Sequence, residues 1–122
     1  MGLRVLAVDD DTISRALLRA MLEEGGHSLV AEAGNFEDAL AAYRESRPDL
    51  VTLDLSLPAT DGFEILKAIL ELDRTARVVI VSGNPDRKVR EKVAEAGAAG
   101  FLSKPFDESE FSSLMARFSK PG

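Results

Sequence analysis

The sequence predicts a doubly wound α/β domain: a five-stranded parallel sheet with helices on both faces. Three observations carry that prediction. Short runs rich in β-branched residues alternate strictly with longer stretches of helical period, five times over, which implies right-handed strand–helix–strand crossovers. One run, LVTL at 50–53, is almost continuously apolar, as expected of a strand buried on both faces. The chain has 122 residues, 45% of them hydrophobic, enough for one packed domain and too few for two.

The elements follow in order. Residues 4–8 read as a strand and 12–24 as a helix, with Ile13, Ala16, Leu17, Ala20 and Met21 on one face and Gly25-Gly26 ending it. Residues 29–33 form a weaker strand. Asn35 caps the next helix, which turns Ala39, Leu40 and Tyr43 inward, and Pro48 separates that helix from the strand at 50–53. Asp61 and Glu64 make a capping-box-like start for a third helix with Phe63, Leu66, Ile69 and Leu70 apolar. RVVIV at 77–81 is the fourth strand. Asn84-Pro85 reads as an N-cap with proline at the first helical position of a thinly apolar helix at 86–96, with Val89, Val93 and Ala96. The fifth strand is 100–103. Asp107 and Glu110 cap a last helix whose inner face is Phe111, Leu114, Met115 and Phe118.

Composition narrows the function classes. The formal charge is −6, which disfavours direct nucleic-acid binding. Arg87, Lys88, Arg90 and Lys92 cluster, but Asp86, Glu91 and Glu95 interleave with them, so the cluster reads as a solvated helix face. There is no cysteine, hence no disulfide or thiolate metal site, and no apolar run long enough to span a bilayer. The N-terminus runs straight into a strand without the parts of a signal peptide, and a cytoplasmic address is the simplest reading. The single histidine, His27, sits between Gly26 and Ser28 in an expected surface turn and is given no catalytic role.

An open parallel sheet binds ligands beyond the carboxyl ends of its strands. The residues there are Asp9-Asp10-Asp11 after the first strand, Asp54 at the end of the third, Ser82-Gly83-Asn84 after the fourth and Lys104-Pro105 after the fifth. Two like charges about 4 Å apart repel by roughly 4 kcal/mol at an effective dielectric near 20. Carboxylates gathered at one edge therefore need a cation. All-oxygen ligands without His or Cys point to Mg²⁺, which shares its shell with phosphate and so suits phosphoryl transfer. Asp11 is expected to be only a turn former or helix cap.

These stretches, VDDD at 8–11, LDLSLPATDG at 53–62, VSGN at 81–84 and FLSKPF at 101–106, resemble the receiver domains of two-component signalling, including the single-domain chemotaxis regulators. The resemblance covers about residues 3–119 of a domain spanning 1–122. It implies the flavodoxin-like strand order 2-1-3-4-5. It implies that Asp54 is the phosphoacceptor and that Asp10, Asp54 and the backbone carbonyl of Ser56 ligate Mg²⁺, with Asp9 acting through a bound water. Lys104 would hold Asp54 and then a phosphoryl oxygen, Ser82 would donate to another, and Phe101 would match the aromatic position that changes rotamer with Ser82 on activation. A cis Lys104–Pro105 bond is also implied.

The chain departs from the family at three positions. Ser82 stands where Thr is commoner, Phe101 lacks the hydroxyl of the usual Tyr, and Ser56 is small enough to admit water.

The resemblance further implies a sensor histidine kinase or phosphotransfer protein as donor and a downstream protein target or fused output domain as partner. Phosphorylation-dependent dimerisation is among the assemblies it allows. Such a chain is not an enzyme on other substrates; it promotes only its own phosphorylation and dephosphorylation. Two other readings are weaker. An aspartyl-phosphate phosphohydrolase usually has a second acid two residues after its nucleophile, where this chain has Ser56. A phosphorylation-independent interaction module would have no need of the full set Asp9, Asp10, Asp54, Ser82 and Lys104.

Overall fold

Alternation along the strands decides the architecture. The computed structural model describes residues 2–55, 62–83 and 87–119. Five strands, β1 (Arg4–Val8), β2 (Ser28–Ala33), β3 (Leu50–Asp54), β4 (Val78–Ser82) and β5 (Gly100–Ser103), alternate with five helices: α1 (Thr12–Glu24), α2 (Phe36–Ser46), α3 (Gly62–Leu72), α4 (Arg87–Ala96) and α5 (Glu108–Ser119). All pairings are parallel, and the order is β2-β1-β3-β4-β5, as the resemblance implies. Successive side chains of a strand point to opposite faces. Leu6, Val8, Val51, Leu53, Val78 and Ile80 thus join one core with α2, α3 and α4. Val5, Ala7, Leu50, Val79, Val81 and Leu102 join a second core with α1 and α5. Each fully buried Leu or Ile in these layers, such as Leu66 or Ile80, contributes about 1.5–3 kcal/mol relative to an exposed position.

The two inner strands carry the buried pattern most completely: every residue of β3 and β4 is buried. The expected bounds shift slightly. β2 starts one residue earlier than its apolar run, and β4 covers Val78–Ser82 because Ser82 still pairs with Ser103. The caps expected at Asp61 and at Asn84-Pro85 lie outside the described residues. Asn35 does cap α2, its side chain accepting from the Asp38 N–H at 2.9 Å. Asp107 and Glu110 form the reciprocal capping box of α5, at 2.7 and 3.3 Å. At the other end of α2, Arg47 adopts a left-handed φ of 46°, and the Arg4 guanidinium donates to the carbonyls of Ser46 and Arg47 at 2.6 and 2.8 Å. A cation there complements the negative end of the helix.

One expectation is corrected. The stripe read as one face of α1 is largely solvent-facing: Ile13 is 70% and Leu17 62% exposed, Ala16 and Ala20 are exposed, and Met21 is half-buried. The inner face is built instead on buried Leu22 with Leu18 and Met21. The helix is rotated so that Arg15 and Arg19 reach Glu32 of β2, at 3.4 and 2.8 Å.

Tyr43 ties α2 to the end of α3. Its buried phenol donates to Asp73 Oδ2 at 2.8 Å. Burial, then the hydrogen bond to Asp73 and that residue's charge, push the phenol up to about 12. Its folded-state value lies above the ordinary 10, so the stability it contributes is complete below about pH 10 and is lost as pH rises towards 12. Tyr43 is the only tyrosine and there is no tryptophan, so near-ultraviolet absorbance reads this one group. Its titration should coincide with alkaline unfolding. A midpoint near pH 10 in the folded protein would show that the phenol is neither buried nor bonded to Asp73 as described.

Candidate functional site

The same alternation sets the functional edge. Asp54 ends β3 and is only 5% exposed, on the sheet face of α1 and α5. Asp9, just past β1, and Lys104, just past β5, lie on that face as well. Lys104 Nζ donates to Asp54 Oδ2 at 3.0 Å and stands 3.5 Å from Asp9 Oδ2. The other Asp9 oxygen accepts from the Asp11 N–H at 2.9 Å, which fixes the carboxylate. The Lys104 N–H donates to the Ser82 carbonyl at 2.8 Å, so the β5 exit is tied to the end of β4. The Lys104–Pro105 peptide is cis. Gly62, the first residue of α3, packs against this edge: a Cβ there would come within 3.0 Å of Leu55 Cα and 3.1 Å of the Asp54 carbonyl oxygen. Beside the acids, a cleft of about 440 Å³ opens between α1 and α5 over Val79, Val81 and Leu102.

Burial pushes the Asp9 carboxyl above the usual carboxylate value. The neighbouring Asp54 charge adds to the rise, and together they outweigh the Asp11 N–H and the attraction of Lys104. Burial also works to deprotonate Lys104. The hydrogen bond and charge of Asp54, with the charge of Asp9, outweigh it and hold the ammonium's pKa above its ordinary value. One ammonium thus serves two carboxylates whose side chains are 13% and 6% exposed. The excess negative charge and the purely oxygen donor set fit a hard divalent cation such as Mg²⁺. Among the described residues no three acidic or imidazole side chains converge into a ready-made cage. That is compatible with Mg²⁺, which retains waters and takes few protein ligands.

The edge therefore brings Asp9, Asp54 and Lys104 into contact. Asp10 is at the same edge but solvent-exposed, and Ser56 lies outside the described residues. Ser82 is 5% exposed, and it and Phe101, which is half-buried, continue the alternation on the opposite sheet face, the one covered by α3 and α4. Asp11 is the N-cap of α1, accepting from the Ile13 N–H, as expected. His27 is structural: its Nδ1 accepts the Leu3 N–H at 2.9 Å. The α4 cations form the solvated face expected of them, since Arg87, Lys88, Arg90 and Lys92 are all exposed. Arg87 pairs with Glu91 at 3.1 Å in the open, but the Arg90 guanidinium covers the Phe101 ring at 4.9 Å and Lys92 covers Phe63 at 4.3 Å. Sequence reasoning missed these two contacts, because the rings come from α3 and β5 and nothing within α4 signals them.

The family model described as response regulator receiver domain matches residues 5–116. This chain belongs to the response-regulator receiver family. It is 32% identical over 120 residues to the chemotaxis protein CheY of Thermotoga maritima, covering 98% of this chain and 100% of that protein. It is 38% identical to CheY of Bacillus subtilis, covering 87% and 88% respectively. Among solved structures it is similar to the CheX–CheY–BeF3–Mg²⁺ complex from Borrelia burgdorferi, with a TM-score of 0.89 and 30% identity over 96% of this chain and 90% of that one. The receiver fold and its role as a phosphorylation-dependent signalling module of two-component systems follow from this membership. No helix among the described residues is long and apolar enough to cross a membrane.

Proposed function

We propose that Asp54 of this receiver is the phosphoacceptor and that phosphorylation there changes what the domain binds. The observation that carries this reading is the Lys104–Asp54 contact at 3.0 Å on a carboxylate 5% exposed, with Asp9 beside it. An Asp54 oxygen attacks the phosphorus of a phosphohistidine or small acyl phosphate. A P–O bond forms, the donor's bond to phosphorus breaks, and the donor leaves with that electron pair. Lys104 neutralises charge on one phosphoryl oxygen, and the Ser82 hydroxyl donates to another. Mg²⁺, when bound, offsets charge on the phosphoryl oxygens. Asp10, Asp54 and the Ser56 carbonyl would hold it directly, and Asp9 would hold it through water.

The donor in this reading is a sensor histidine kinase or phosphotransfer protein. Ile13 and Leu17, 70% and 62% exposed on α1 directly after the acidic loop, offer such a protein an apolar foothold beside Asp54. The output is a protein target, a fused output domain or a second copy; the domain acts on no other substrate and works in the cytoplasm. With Mg²⁺ and a small acyl phosphate, intact-mass spectrometry should show one added phosphoryl group, and EDTA should prevent it. An unchanged mass with Mg²⁺ present would overturn the assignment.

A further inference from the structure

Helix α4 has a thin apolar anchor: Val93 is its one buried residue, with Val89 and Ala96 half-buried. Two of its cations instead lie on aromatic faces of neighbouring elements. The Arg90 guanidinium is 4.9 Å from the centroid of Phe101 on β5, and Lys92 Nζ is 4.3 Å from that of Phe63 on α3. Lys67 approaches the same Phe63 ring at 5.6 Å. Both rings belong to segments that build the phosphorylation site. Phe63 follows Gly62, which packs on the Asp54 backbone. Phe101 precedes Lys104 by three residues and pairs with Ile80, two residues before Ser82 and on the same sheet face.

We infer that Arg90 and Lys92 are positioning residues: a two-point cation–ring clamp that sets α4 against the site and thereby tunes the affinity of Asp54 for a phosphoryl group. The inference rests on the phosphoacceptor reading. In the arrangement described, Lys104 holds the bare Asp54 carboxylate. A phosphoryl oxygen on Asp54 would draw the Ser82 side chain towards it. Ser82 and Phe101 share the face that α4 covers, so that motion takes place beneath the clamp. A contact that favours one of two arrangements biases the equilibrium between them by its differential strength. A cation over an aromatic face at an exposed site is strong enough to change an affinity about two- to fivefold.

The test titrates the full chain with beryllofluoride and Mg²⁺, followed by amide NMR, for wild type, Arg90→Met, Lys92→Met, the double variant and Arg90→Lys. Met keeps the side-chain bulk and removes the charge, so a purely steric role would leave the titration unmoved. Each Met variant should bind the mimic about two- to fivefold more tightly, the double variant more tightly than either, and Arg90→Lys within about twofold of wild type. Equal or weaker binding by the double variant, or Arg90→Lys behaving like Arg90→Met, would overturn the clamp while leaving the acceptor in place. Failure of every chain to bind, wild type included, would sink the phosphoacceptor reading and the clamp with it.

Discussion

Asp54→Asn should abolish phosphorylation, with residual incorporation at least about a hundredfold below wild type in the presence of Mg²⁺ and a small acyl phosphate. The amide oxygen of Asn can still accept the Lys104 hydrogen bond, now 3.0 Å long, so the local geometry survives the change. What is lost is an anionic oxygen able to form the P–O bond. Asp9 and Asp10 remain nearby but do not substitute. Asp9 spends one oxygen on the Asp11 N–H and lies farther from Lys104, at 3.5 Å, while Asp10 is solvent-exposed. Intact-mass spectrometry gives the extent of labelling, and an amide NMR spectrum that keeps its sheet resonances separates a chemical loss from a folding loss. Labelling of Asp54→Asn to the wild-type extent would move the acceptor to another carboxylate.

The acid pocket was readable in the sequence because a parallel sheet delivers residues at its strand ends to one edge, whatever the helices do. Asp9, Asp54 and Lys104 each sit at or one residue past a strand whose apolar run marks its end. That Asp54 and Lys104 meet while Ser82 and Phe101 share the other face follows from strand parity, which needs only the register of β3, β4 and β5. The rotation of α1 was not readable. Its sequence offers two apolar stripes that overlap at Met21, one through Ile13, Ala16, Leu17, Ala20 and Met21 and one through Leu18, Met21 and Leu22, and helical period alone cannot choose between them. The choice is made by partners distant in sequence: Glu32, which takes Arg15 and Arg19, and α5, which shares the core with Leu22. The ring contacts of the exposed α4 cations are not legible for the same reason. Alternation with acids marks a solvated face, yet Phe63 and Phe101 come from α3 and β5, and no local pattern in α4 announces them.

Lys104→Met should separate two properties that most site variants lose together. The phosphoryl-transfer rate should fall about 10²- to 10³-fold, because the variant lacks the ammonium that meets charge developing on the transferred group. Mg²⁺ affinity should move the other way. On the proposed assignment, Lys104, 3.0 Å from Asp54 and 3.5 Å from Asp9, would compete with Mg²⁺ for Asp54, a direct ligand, and for Asp9, which would hold the metal through water, and would repel it. Without Lys104, both carboxylates lose its charge, and each is largely enclosed, at 6% and 13% side-chain exposure. Breaking a buried ion pair costs about 3–5 kcal/mol; with Lys104 itself 31% exposed, solvent screening lowers the expected loss in metal-free protein to about 1–3 kcal/mol. Saturating Mg²⁺ should recover much of that loss, because a ligand that binds only the native state stabilises it in proportion to its affinity. The melting temperature of the variant should therefore depend on Mg²⁺ more steeply than that of the wild type. Calorimetric titration and thermal melts with and without EDTA measure both quantities. If Lys104→Met binds Mg²⁺ more weakly than wild type, the ammonium is not the metal's competitor, and Asp54, which it contacts at 3.0 Å, is not among the proposed ligands.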